Sequence, residues 1–258
     1  MLAGLLYLGA GTGLTLVSAV TGRGRPRLPA GDWRRLGVIA LVGGLVGPAL
    51  LMFGLQRVSG VTGSLLLNLE AVFTMVIAVR FFGDRLNKVE WLGAAVIVIG
   101  ALVVSYRPGE FTGEWIGVVA IAGACLSWGL DNNLTQRISS HDAISIVQIK
   151  TLTAGTGNVL LALALGTQPI ANHTLLASAG VGFICYGISI VLDLYALRFL
   201  GAAREAVFFA TAPFLGAVAA IPLLGERLVR TEILAAGLMA IGVAVFQAGR
   251  TSATPAPV

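Results

Sequence analysis

The sequence predicts an all-α integral membrane protein: an inverted repeat of five-helix units, with nine transmembrane helices in this chain. Three observations carry that reading. Only 11% of the 258 residues are charged and 57% are hydrophobic, with a mean hydropathy of +0.90; a soluble domain is about 25% charged. The apolar residues gather into runs near the roughly 20 residues that a spanning helix needs. The chain also repeats itself, since Gly83-Asp84-Arg85-Leu86 recurs as Gly225-Glu226-Arg227-Leu228, 142 residues on.

The segments follow in order. Residues 1–20 have no basic leader and arginines come after them, so they read as a retained helix and not as a signal peptide. The Gly/Arg/Pro-rich stretch Gly22–Pro29 separates them from 36–55, and 60–81 comes next. The first motif leads into 89–106, which Arg107-Pro108-Gly109 ends. Segments 115–135 and 143–165 follow, then a turn at Thr167-Gln168-Pro169. The last three segments are 175–197, 203–223 and 230–248. Length and loop chemistry decide these bounds, because periodicity is uninformative when every face is apolar. The sequence domains are 1–106, a four-helix first repeat, and 115–248, a five-helix second repeat; 249–258 is a disordered tail.

Basic residues fix an orientation. With the loop at 21–35 inside, twelve Lys/Arg lie on the inner side, four on the outer, and Lys150 within a helix. Such a bias places the C-terminus in the cytoplasm. The net charge of +5 therefore belongs to membrane topology, and no aromatic-basic interleaving points to nucleic acid. Cys125 and Cys185 sit in apolar segments without CxxC spacing, as small buried residues. Gly9-Ala10-Gly11-Thr12-Gly13 lies inside an apolar helix with no preceding strand, so it is no dinucleotide fingerprint. No HExxH, GxSxG or Walker motif occurs. No enzyme activity, cofactor or metal is expected.

The doubled motif is followed in each copy by an acidic residue, Glu90 or Glu232, and an apolar helix. Ala212-Pro213-Phe214 precedes the second motif, and Trp128-Gly129 lies in the segment that opens the second block. In these residues the chain resembles the drug/metabolite transporter superfamily, EamA-type. The resemblance implies ten helices in two inverted five-helix repeats, a central cavity and outward movement of small metabolites. The counterpart of segment 115–135 would fall before residue 1, so an additional upstream helix and start codon are expected. Partners implied are a small-molecule substrate, the lipid bilayer and protons, with a homodimer left open. A lipid-linked cargo moved between leaflets, or a non-transporting membrane partner subunit, are the alternatives.

An ionisable group within an apolar segment costs about 2.5–3.5 kcal/mol to insert, so each needs a reason. Glu70 lies near the middle of 60–81, with Asn68 two residues away. It either faces a cavity and binds a substrate amine or a coupling proton, or it hydrogen-bonds within the bundle. Lys150 and Asp193 lie at similar depths, as an ion pair or an inner gate. Trp128, Asp131, Asn132 and Asn133 line the inner mouth or meet interfacial water. Tyr186, Tyr195, Asn158 and Gln148 are ligand hydrogen-bonders or interhelix contacts. Arg85, Arg227, Asp84, Glu226, Glu90 and Glu232 read as interfacial anchors and short-range pairs.

Overall fold

The computed structural model describes residues 1–22, 29–83, 85–105, 113–167 and 172–251. Asp84, the interior of the Gly22–Pro29 loop, the Arg107-Pro108-Gly109 turn, Gln168-Pro169 and residues 252–258 lie outside them. The helices are α1 (Leu2–Val20), α2 (Ala30–Ile39), π1 (Ala40–Val46, a π-helix), α3 (Gly47–Leu55), α4 (Gly60–Leu66) and α5 (Leu69–Phe82). Then come α6 (Lys88–Ser105), α7 (Gly113–Ile138) and α8 (Ala143–Ala164). The chain continues through α9 (Asn172–Val181), π2 (Gly182–Ile188, a π-helix), α10 (Ser189–Leu200), α11 (Ala202–Phe209), α12 (Ala212–Leu224) and α13 (Arg230–Thr251). No strand occurs among the described residues. Among the described residues, eight helical spans are long and apolar enough to cross a membrane. The expected ninth segment, 203–223, is divided between α11 and α12, which leaves only a shorter apolar helix at Ala212–Leu224.

The backbone irregularities recur at the sequence offset. π1 and π2 begin at Ala40 and Gly182 and end at Val46 and Ile188, each pair 142 residues apart. The α4–α5 and α11–α12 breaks fall at matching positions, and so do the glycines that end α5 and α12. Gly83 (φ 79°) and Gly225 (φ 69°) are left-handed there, the conformation that closes a helix without a Cβ penalty.

The two breaks have different local causes. After α4 the chain tightens into short-range bonds, with Leu67 N donating to Ser64 O and Asn68 N to Leu65 O, both at 3.1 Å. The Asn68 amide also donates to Leu65 O at 3.0 Å, competing with the helical ladder. In the second copy Pro213, at the start of α12, supplies no N–H and disfavours helix in the residue before it. The Thr211 N–H and hydroxyl both donate to Phe208 O, at 3.1 and 2.7 Å.

The chain forms two compact units that differ from the two sequence blocks. One comprises Met1–Ala49 with Leu130–Gly201; the other comprises Leu50–Gly129 with the chain from Ala202 onward. In the first unit Leu14, Leu36, Ile39, Ile138, Ile146, Val147 and Leu194 form the core. Here α1 packs on α8, π2 and α9 through small residues. A Cβ on Gly9 would lie 2.6 Å from Ala179 O, and one on Gly4 2.7 Å from a Val159 methyl. The GxxxG spacing Gly9/Gly13 is thus used for close packing. At one end of this unit Asp32 holds Arg35 at 2.6 Å and His141 Nε2 at 3.0 Å. Arg198 donates to the carbonyls of Ser139 and His141 alongside.

In the second unit the core gathers Val61, Leu65, Leu66, Ile121, Cys125 and Met239, with Met75, Ile97 and Phe246 in a second cluster. Gly93 and Gly242 let α6 and α13 touch backbone to backbone, since a Cβ on either would come within 3 Å of the other's carbonyl. Glu226 and Glu232 reach beyond the short-range contacts expected of them, and Asp84 lies outside the described residues. Glu226 accepts from Gly60 N at 2.6 Å and Val61 N at 2.9 Å, capping α4 from a distant part of the chain. Glu232 accepts from the hydroxyls of Ser59 and Thr62 at 2.9 and 3.0 Å, as well as from Val229 N. Glu90 takes the local role, accepting from Asn87 N at 2.6 Å.

Candidate functional site

The first candidate locus is the helix break in the second unit. Glu70 stands in the first turn of α5, its own N–H bonded back to Leu67 O at 3.0 Å. It is buried, at 8% exposure, and Asn68 beside it is 1% exposed. The Asn68 amide nitrogen is committed to Leu65 O and approaches the Met239 sulfur at 3.9 Å. Its carbonyl oxygen is buried without a hydrogen-bond partner. Cys125 of α7 lies against the same break, its sulfur 3.7 Å from Leu66 O and 4.0 Å from Leu67 O. Trp128, one turn further along α7, packs partly buried against the core that holds Leu65 and Leu66. The break therefore carries a carboxylate, an amide oxygen and a thiol inside otherwise apolar helices.

The second locus lies in the first unit around π1. Lys150 Nζ meets Asp131 Oδ2 at 2.5 Å, and Thr135 donates to the other Asp131 oxygen at 3.2 Å. Both charged residues are buried, at 6% and 4% exposure. The partner that the structure gives Lys150 is thus Asp131, in place of the expected Asp193, which is half-buried on α10. Matching depth along two helices leaves their rotation open, and α7 brings its carboxylate to the Lys150 face of α8. π1 makes room for the pair, because a Cβ on Gly43 would overlap the Asp131 carboxylate.

Its neighbour Gly44 serves a second cluster. Asn158 donates to Gly44 O at 2.8 Å and to Ala154 O at 2.9 Å, so both amide hydrogens are spent inside the protein. A Cβ on Gly44 would sit 3.9 Å from the Tyr7 ring, and Tyr7 and Tyr186 pack with ring centroids 5.2 Å apart. Gln148 donates to the Thr15 hydroxyl at 2.9 Å, an interhelix contact. Tyr195 stacks on Phe199 and receives the Arg198 guanidinium on its face.

Of the expected residues, Asn68, Glu70 and Trp128 lie in the second unit; Lys150, Asn158, Tyr186 and Asp193 lie in the first. Sequence reasoning missed three participants: Gly43, the placement of Cys125 at the break, and Asp131 as an ion-pair partner. The Gly43-Gly44 pair and the polar run from Asp131 to Asn133 were the available signals.

The model of the EamA-like transporter family matches residues 1–106 and 115–247. The chain belongs to that family. An EamA-like protein with this many apolar helices is a multi-pass membrane protein of a transporter family. Over 233 residues it is 27% identical to an "Uncharacterized transporter" of Methanothermobacter thermautotrophicus, covering 87% of this chain and 67% of the relative. It is 24% identical to an "Uncharacterized inner membrane transporter YedA" of Escherichia coli K12, covering 97% and 82%. A third relative, from Streptantibioticus cattleyicolor, is named "Probable terminal-alkyne amino-acid exporter"; it is 28% identical, with 95% and 84% covered. A crystal structure matches with a TM-score of 0.74 at 18% identity, over 98% of this chain and 88% of the other, which shows the fold alone.

Proposed function

We propose that this EamA-like chain is an inner-membrane secondary transporter that exports a small, amino-acid-like metabolite by alternating access. In this reading the blocks 1–106 and 115–248 are inverted repeats, and the C-terminus is cytoplasmic, as the distribution of basic residues favours. The observation that carries the proposal is the buried carboxylate of Glu70 in the first turn after a broken helix. Interrupted helices and buried ionisable groups are both costly in a bilayer, and transporters place them where substrate or ions bind. Glu70 binds a substrate amine or the coupling proton, with Asn68 and Trp128 beside it. Lys150 gates the first unit through its pair with Asp131, Asp193 lies further along the same unit, and Asn158 and Tyr186 shape the wall around π1.

The names of two relatives support the membrane and the cargo class: YedA is an inner membrane transporter, and the Streptantibioticus protein is named for amino-acid export. The test is counterflow in proteoliposomes with labelled amino acids and a panel of small metabolites. Saturable exchange of at least one amino-acid-like compound is expected. Exchange of none of them, beside uptake of a lipid-linked probe between leaflets, would replace this reading.

A further inference from the structure

Asn68 leaves a polar atom at the α4–α5 break that the fold does not use. It occupies the N-cap of α5, where an asparagine oxygen ordinarily accepts from the second or third N–H of the helix. Here the side chain makes no capping bond. Its backbone is helical (φ −60°, ψ −20°), whereas a capping residue is typically extended. The second N–H, that of Glu70, is already bonded to Leu67 O at 3.0 Å. Turning the amide over brings no relief. Its nitrogen is fixed by Leu65 O at 3.0 Å, and exchanging the two atoms would set oxygen against oxygen there. The Met239 sulfur, which also approaches this amide, is itself a weak acceptor and has no proton to give. The carbonyl oxygen therefore stays without a donor on a residue that is 1% exposed.

A second acceptor in the same turn is poorly served. In a continuous helix the Glu70 N–H would bond Leu66 O, four residues back. With that N–H diverted to Leu67 O, Leu66 O is met by the Cys125 thiol at 3.7 Å, a weak donor. The break itself needs only the amide nitrogen. At the other break in this unit the Thr211 hydroxyl makes the same kind of bond, to the carbonyl three residues back, and leaves no amide oxygen behind. A buried acceptor with neither a donor nor a structural use is complementary to a donor brought from outside. We propose that the Asn68 carbonyl oxygen accepts an N–H from the cargo, so that the break selects primary amines over fully N-methylated ones. The Glu70 carboxylate has contacts of its own and is not needed by either acceptor. The selectivity rests on the reading of this break as the cargo site. It is read by binding alone, so its failure and the failure of the transport reading are distinguishable.

The test is the thermal midpoint of the purified full-length chain in lipid nanodiscs. It is titrated with methylammonium or tetramethylammonium chloride, and NaCl holds the ionic strength constant. The two cations carry the same charge, and only the first has N–H groups. Saturable stabilisation is expected, tighter for methylammonium by about tenfold, the scale of one hydrogen bond to a charged group. Asn68→Ser keeps a donor for Leu65 O and withdraws the carbonyl, so the preference for methylammonium should collapse. Asn68→Leu removes the whole amide and serves as a second variant should the first not fold. A preference that came from size alone would survive in both. Equal affinity for the two cations in the parent, the absence of any saturable response, or an unchanged preference in a folded variant would overturn the proposal. Preference without counterflow would keep the Asn68 site and remove the export reading; counterflow of amines without the preference would do the reverse.

Discussion

The two breaks in the second unit use one backbone device with different chemistry. α4 gives way to α5 around Asn68 and Glu70, whereas α11 gives way to α12 around Ala210 and Ala212, the residues 142 positions later. In the first copy the side chains are polar and buried; in the second, Ala212 is exposed and Pro213 imposes the break. The π-helices repeat the lesson in the other unit, where Gly43-Gly44 stands opposite Cys185-Tyr186 in register. Backbone irregularity thus recurs at the sequence offset, while at each matched pair the polar side chains stand in only one of the two copies. A duplicated chain can keep symmetric hinges and still build an asymmetric site.

The strongest way to break that comparison is to exchange the chemistry of the two breaks. Glu70→Gln keeps the size and the helix but removes the charge, and at least a tenfold loss of exchange is expected in proteoliposomes. Ala212→Gln, at the matching position, is expected to leave exchange within about twofold of the parent. Equal losses would mean that the second break carries function too.

The buried pair around π1 gives the next effect. Removing one partner of a buried ion pair costs about 3–5 kcal/mol, because the other charge is stranded. Lys150→Met or Asp131→Leu alone should therefore lower the thermal midpoint strongly. Lys150→Met with Asp131→Leu should recover most of the loss, since well-packed apolar replacements of such pairs are often neutral. Non-recovery in the double variant would mean that the residues act separately.

Gly43→Ala sharpens the contrast between a close approach at π1 and an open helix face. Its Cβ would overlap Asp131, so a loss of about 1–3 kcal/mol is expected from overpacking. Gly180→Ala, in open space on α9, is expected to be neutral or slightly stabilising in the same thermal assay. The smallest effect belongs to the motif carboxylate. Glu226→Ala uncaps α4 and should cost about 0.5–2 kcal/mol, in the range of helix-cap losses. Unchanged hydrogen exchange at Gly60 and Val61 in that variant would refute the capping role.

Much of this was legible in the sequence, for physical reasons that also set its limits. A spanning helix must be long and apolar, so eight of the nine expected segments could be read from composition, and the 142-residue offset already aligned the elements. The α4–α5 break was not legible, because Leu67-Asn68-Leu69 holds neither Pro nor Gly and the turn rests on one asparagine amide. π1 and π2 leave hydropathy unchanged. The Lys150–Asp131 pair was hidden because depth along a helix is readable from residue counts and rotation is not. Glu226 and Glu232 looked local because their partners at Ser59–Thr62 are distant in sequence. Glu70 stood out in the sequence because an isolated carboxylate in an apolar run is costly, and the structure places it buried at the helix break.

The most direct test of the functional claim for Glu70 is the pH dependence of exchange. Counterflow of the best substrate would be measured at several pH values for the parent chain and for Glu70→Gln, at matched protein incorporation. With Glu70 as the coupling group, exchange in the parent varies with pH, and the variant is slow and flat. A variant that keeps the parent's rate and pH profile would place the coupling group elsewhere and reduce Glu70 to a structural contact at the helix break.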